Sequence, residues 1–213
     1  MTTADNRRWA FFGPLAVALW VIGIFLITKN GPPDHATGGV ILAWYKAHSD
    51  SVSLGAWLFM IGCLCFVILV AGLRVAHRGG RSNQPAAHAR LVGAAMAGLA
   101  GMLTAAVDLA GAIDKNDIDP GTAATFHRSV DVFFVSAELA AILPLAAVAI
   151  LAWRTRVLPR WWAAFSGLVA VVLLIGPIGW LGLIFGVPLW TLGTSLFVWL
   201  GSRERTQAAA ATA

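Results

Sequence analysis

The chain has 213 residues, 59% of them hydrophobic and 12% charged, with a mean hydropathy of +0.78. Soluble domains carry roughly 45–50% apolar and about 25% charged residues, so this composition excludes a water-soluble globular protein and indicates a polytopic membrane protein. The net charge of +5 calls for no nucleic-acid partner, because arginines flanking membrane spans act as topology signals and touch anionic head groups.

Apolar runs of about 20 residues, the length that crosses a hydrocarbon core of roughly 30 Å, fall at 9–28, 52–75, 91–113, 129–153, 161–177 and 179–200. They predict an all-α fold: a single six-helix transmembrane domain over 1–203, followed by a disordered C-terminal tail, 204–213. The first run is too long for the h-region of a signal peptide and lacks a small-x-small cleavage site after Thr28, so it is expected to be retained. Threading six spans puts eleven Lys and Arg (Arg7, Arg8, Arg74, Arg78, Arg81, Arg90, Arg154, Arg156, Arg160, Arg203, Arg205) on one side and four (Lys29, Lys46, Lys115, Arg128) on the other. The positive-inside rule then places both termini in the cytoplasm of a bacterial plasma membrane protein.

The loop after the first span, 29–51, opens with Gly31-Pro32-Pro33-Asp34 and cannot start as helix. Val40, Ile41, Trp44 and Tyr45 recur at the spacing of one apolar helical face. That pattern predicts a short helix on the outer membrane surface, anchored by Trp44 and Tyr45, or a lid over a cavity. In the second span, Cys63 and Cys65 stand about 200° apart around the axis and cannot pair, so they read as apolar residues.

Gly93, Ala97, Gly101 and Ala105 repeat at every fourth position of the third span, the small-xxx-small pattern of close helix packing. Asp108 continues that stripe two turns later and is expected to face inward, with Thr104 one turn away as a donor to its carboxylate. In the fourth span Asp131 and Glu138 share a face, with Glu138 near the bilayer midplane. An ionisable group at that depth is costly and marks a functional site by default. Asp108 and Glu138 are expected to converge on one cavity, with Asp131 at its outer mouth, while Pro144 frees a carbonyl near Ala140 and opens a polar pocket beside Glu138. Gly176-Pro177-Ile178-Gly179 carries turn chemistry and predicts a tight hairpin between the last two spans at the outer face.

Glu138, Asp108 and Asp131 are the candidate catalytic acids, and the same three with Thr104 are the candidate ligand-binding residues. His48, His77, His88 and His127 sit at span ends in a layout that mimics paired haem ligands, but they read as interfacial histidines. Asp34, His35 and His48 show no diagnostic metal spacing, and no metal or cofactor is expected. Phosphate-binding loops, nucleophile elbows and HExxH helices are missing from the sequence.

The segments Ala43-Trp44-Tyr45-Lys46-Ala47-His48, Leu73-Arg74-Val75-Ala76-His77-Arg78 and Leu158-Pro159-Arg160-Trp161, the last leading into a Gly-Pro hairpin, give the chain a layout that resembles a mostly uncharacterised class of small actinobacterial multi-pass membrane proteins. The resemblance implies an integral membrane protein and supplies no catalytic residue. Two functions remain open on sequence grounds. One is a non-enzymatic bundle that binds or passes a small apolar or cationic solute, or serves as a subunit beside a membrane-protein partner. The alternative is a membrane-embedded enzyme acting on a lipid or isoprenoid, with an intramembrane acid protonating an alkene as terpene cyclases do and Trp and Phe rings stabilising the cation.

Overall fold

A computed structural model describes residues 3–33, 35–76, 84–155 and 158–211. Asp34, His77, Arg78, Arg81 and Arg156 lie outside them. The described residues form helices joined by short connections, with no strand: α1 (Thr3–Thr28), α2 (Gly38–Ala76), α3 (Gln84–Ile113), α4 (Pro120–Thr155), α5 (Arg160–Leu174), α6 (Gly176–Leu181), a π-helical turn (Gly182–Gly186) and α7 (Val187–Ala211). Five segments are long and apolar enough to cross a membrane, and α5 is a shorter apolar helix beside them, as befits a multi-pass membrane protein. α7 continues as helix to Ala211, through most of the segment expected to be a disordered tail; its Arg, Glu, Gln and Ala residues are good helix formers.

α1 to α5 alternate in direction, α6, the π-helical turn and α7 run on from one another as the returning segment, and glycines set the crossings. At α1–α2 a Cβ on Gly55 would meet the Gly23 carbonyl at 2.7 Å, and one on Gly23 would meet the Gly55 carbonyl at 2.7 Å, so the two backbones touch. At α3–α4, Gly93 receives Leu143 and the ring of Pro144. Pro144 therefore fills a packing notch against α3 instead of opening a polar pocket. The small-residue stripe faces the bundle as the spacing predicts: Gly101 lies against the Cys63 sulfur, and Ala105 is buried. α1 and α7 run antiparallel, with Gly13 against Thr191 and Ser195, which brings both chain ends to one end of the bundle.

The largest departures from the sequence reading are at the end of the bundle that holds the α1–α2, α3–α4 and α5–α6 connections. α2 is two helices joined across a kink at His48 (φ −125°, ψ 17°), so the short helix expected before the second span is present, but it runs on into that span and its aromatic face meets protein. Ser51 Oγ donates to the His48 carbonyl, which helps satisfy the backbone at the bend. The stripe that includes Ile41, Trp44 and Tyr45 packs on Val52, Ala112 and Ala123, so Trp44 and Tyr45 are buried between helices and do not anchor in the interface. The α5–α6 hairpin turns at a single residue, Ile175 (φ −91°, ψ 88°); the 176–179 segment, expected as the turn, is already the first turn of α6. Proline is well suited to a first helical turn, where its missing N–H has no intrahelical partner.

α4 starts from a cap outside the membrane. Asp119 accepts from the Thr122 hydroxyl (2.7 Å) and from the backbone N–H groups of Gly121 (2.7 Å) and Thr122 (3.1 Å). These bonds, the Thr122 hydroxyl foremost, hold its carboxyl below the usual aspartate range. A depressed carboxylate contributes stability above its unfolded value and loses it as pH falls through the folded one. Acidification is expected to lower the amide-exchange protection factors, corrected for the intrinsic rate, in the first turn of α4, and Asp119→Ala is expected to show that lowered protection already at neutral pH. Identical exchange in the variant and the parent at neutral pH would remove the cap from the account of how α4 begins.

Candidate functional site

α3 and α4 position the two buried acids, and the helix register decides whether they meet. Gly93 stands opposite Leu143 and Pro144, and Ala112 shares a cluster with Ala123. In that register the level of Glu138 on α3 is near Gly98, so Asp108 lies about ten residues, or 15 Å, farther out along the axis. The acids therefore do not converge. The apolar run of this span begins at Ser129, but α4 begins at Pro120, so depth counted from the apolar boundary misplaces Glu138 against α3.

Asp108 is 5% exposed, and its Oδ1 accepts a hydrogen bond from the Tyr45 hydroxyl at 3.0 Å. Tyr45 is 0% exposed and its ring lies on Gly111, whose missing Cβ leaves the ring its space. A buried phenol and a buried carboxylate each need a partner, and here they satisfy one another. Beside them the Trp44 ring stands 4.7 Å from Tyr45 and 5.9 Å from His127. The Trp44 Nε1 and His127 Nδ1 atoms are buried without a hydrogen-bond partner. Tyr45 is the site residue that the sequence reading missed. Its signal was its place on the same face as Ile41, and the error was assigning that face to lipid.

Thr104 does not serve Asp108. Its hydroxyl donates to the Ala100 carbonyl at 3.0 Å, one turn back in its own helix. Asp131 is exposed although it shares a helical face with the buried Glu138. The cause is the length of the neighbours: the α5–α6 hairpin covers α4 at Glu138, where Gly179 packs, and ends before it reaches Asp131.

Glu138 is 5% exposed. Its Oε2 lies 3.0 Å from where a Cβ on Gly179 would stand, and the Leu173 carbonyl oxygen lies 3.2 Å from the same point. Glu138 makes no hydrogen bond or ion pair among the described residues.

A cavity of about 90 Å³ opens at the level of Glu138, between α1, α2, α3, α4 and the π-helical turn. Trp20, Phe59, Cys63, Gly101, Phe134 and Ile184 are among its walls, Thr104 contributes at one edge, and neither Asp108, Asp131 nor Glu138 lines it. Ala137 and Ala141 turn the small face of α4 to the cavity, while Glu138, next to Ala137 in sequence, points away toward α6. Ile24 and Ile184, 38% and 40% exposed, form its rim, so the space reaches the outer face of the bundle. The π-helical turn supplies Leu183 and Ile184, and such turns are frequent at functional sites.

Farther in, two indoles lock α5 to α7: Trp190 Nε1 donates to Ser166 Oγ at 2.9 Å, and Trp162 Nε1 to Thr194 Oγ1 at 3.2 Å. Their hydroxyl partners carry no net charge, which makes this a structural seam. Among the described residues no three His, Cys, Asp or Glu side chains group closely enough to hold a metal ion. Comparisons with protein-family models, with curated proteins and with solved structures each return no match, so the site is read from its own geometry.

Proposed function

We propose that this chain is a non-enzymatic membrane bundle that takes a small apolar solute, or the end of an alkyl or isoprenyl chain, from the bilayer into the cavity beside the π-helical turn. The observation that carries the reading is the cavity itself: about 90 Å³, walled by aromatic and aliphatic side chains, and rimmed by Ile24 and Ile184 on the lipid-facing side. A dry apolar cavity of roughly 150 Å³ is enough to bind benzene, so this one suits a fragment of a few carbons. Polar or cationic solutes find no charged partner on its walls. The same geometry weighs against alkene protonation, which needs an acid facing the substrate, whereas both buried carboxyls lie off the cavity. In this reading both termini are cytoplasmic in a bacterial plasma membrane, supported by their shared end of the bundle and by the eleven-to-four split of basic residues.

The test is photolabelling in liposomes with an alkyl diazirine. Adducts are expected on Trp20, Phe59, Cys63 and Phe134, with competition by unlabelled alkane, and Gly101→Leu, which directs a side chain into the space, is expected to remove most of the cavity labelling. Labelling confined to lipid-facing residues, and unchanged in Gly101→Leu, would overturn the reading.

A further inference from the structure

The break between α5 and α6 leaves a main-chain acceptor without its donor. In a continuous helix the Leu173 carbonyl would accept from residue 177, but that residue is Pro177, which has no N–H. The bonds that close the turn run from Ile175 N–H to the Val172 carbonyl and from Ile178 N–H to the Ile175 carbonyl, and they pass Leu173 by. Leu173 is itself buried, so water does not replace the missing donor. Facing this carbonyl across Gly179 is the carboxyl of Glu138, a residue that is 5% exposed and makes no hydrogen bond or ion pair among the described residues. An ionised carboxylate only accepts hydrogen bonds, and beside a bare carbonyl it would add one acceptor to another. A protonated one carries the O–H that the carbonyl lacks.

We propose that Glu138 is a proton-binding site: its carboxyl holds a proton and donates it in a hydrogen bond to the Leu173 main-chain carbonyl, tying α4 to the α5–α6 break. A metal cation in this place would need several more oxygens than the two nearest the Gly179 Cβ position, Glu138 Oε2 and the Leu173 carbonyl. No neighbouring charge competes for the proton. α5 carries Arg160 alone, at its far end, and α6 and the π-helical turn carry no titratable group. On α4 the nearest charges are Asp131, about two turns outward, and Arg154, about four turns inward, while on α3 Arg90 lies about 12 Å inward and Asp108 roughly 15 Å outward along the axis. The site stands apart from the apolar cavity and does not depend on its occupant.

The chain contains only two glutamates, Glu138 and Glu204, which makes the proton directly observable. In full-length protein carrying isotopically labelled glutamate, infrared spectra at neutral pH are expected to show one labelled carboxylic-acid carbonyl band, absent from Glu138→Gln. Thermal midpoints in detergent form the second arm. Glu138→Gln keeps an N–H donor for Leu173 and is expected to melt near the parent; Glu138→Leu, of similar size but without a donor, is expected to melt lower. Three results would each overturn the proposal: a labelled glutamate band that is wholly carboxylate at neutral pH, a Glu138→Leu protein at least as stable as the parent, or a parent midpoint that shifts when sodium is exchanged for choline at constant pH.

Discussion

Replacing Gly55 with leucine is expected to be among the most damaging single changes in this protein. A Cβ there would stand 2.7 Å from the Gly23 carbonyl oxygen, 2.9 Å from Ile27 Cγ1 and 3.0 Å from Leu26 Cβ. The nearest of these atoms is backbone, so the helices must separate instead of one flexible side chain moving aside. Overpacking usually costs about 1–3 kcal/mol and occasionally more, and a backbone-limited crossing belongs at the top of that range. With roughly 2–4 °C per kcal/mol for a chain of this size, the thermal midpoint in detergent is expected to fall by about 6–12 °C. Gly39, with nothing within 4 Å of its Cβ position, is the control, and Gly39→Ala is expected to leave the midpoint in place. A Gly55→Leu protein that melts with the parent would mean that α1 and α2 do not cross at this point.

Breaking the Tyr45–Asp108 hydrogen bond is expected to have the second large effect. Tyr45→Phe leaves the buried Asp108 without its donor, and Asp108→Leu leaves a buried phenol without its acceptor. Each orphaned group costs about 1–3 kcal/mol, more where the group is charged. Removing both polar partners costs less than the two single changes added together, because no unsatisfied group remains. The double-mutant cycle is therefore expected to give a coupling of about 1–3 kcal/mol. Strictly additive losses would show that the phenol and the carboxylate do not depend on one another.

Membrane class, the number of apolar segments and the inward-facing glycine stripe were legible in the sequence because each depends on a property of one helix alone. Length fixes a span, and a repeat of small residues fixes the face that another helix can approach. What was not legible depended on pairs of elements. The stripe containing Trp44 and Tyr45 fits lipid or protein equally well, and only the α3–α4 ends to which it packs decide between them. The heptad separation of Asp131 and Glu138 put both on one face, as expected, yet one is exposed and the other buried because α5 is short. The depths of Asp108 and Glu138 were misjudged because helix ends do not coincide with the edges of apolar runs. Buried acids were findable by the cost of placing charge in lipid, but the groups beside them, the Tyr45 phenol at Asp108 and the α5–α6 break at Glu138, came from elements distant in sequence. The cavity left no mark in the sequence at all, since its walls are mostly ordinary apolar residues drawn from α1 to α4, the π-helical turn and the start of α7.

The short α5 also has a meaning for the surrounding lipid. Its 15 residues rise about 22 Å, against roughly 30 Å for a hydrocarbon core, so α5 alone is shorter than the core it stands in. Hydrophobic mismatch of this kind is relieved by thinning the bilayer at a modest cost per ångström. Thinning confined to the side of α5 is expected to give the protein a lopsided footprint and to bring head groups and water toward the depth of Glu138. A carboxyl that lies at mid-membrane when measured along α4 thereby sits close to an aqueous boundary on its hairpin side, which gives a proton a short route to it.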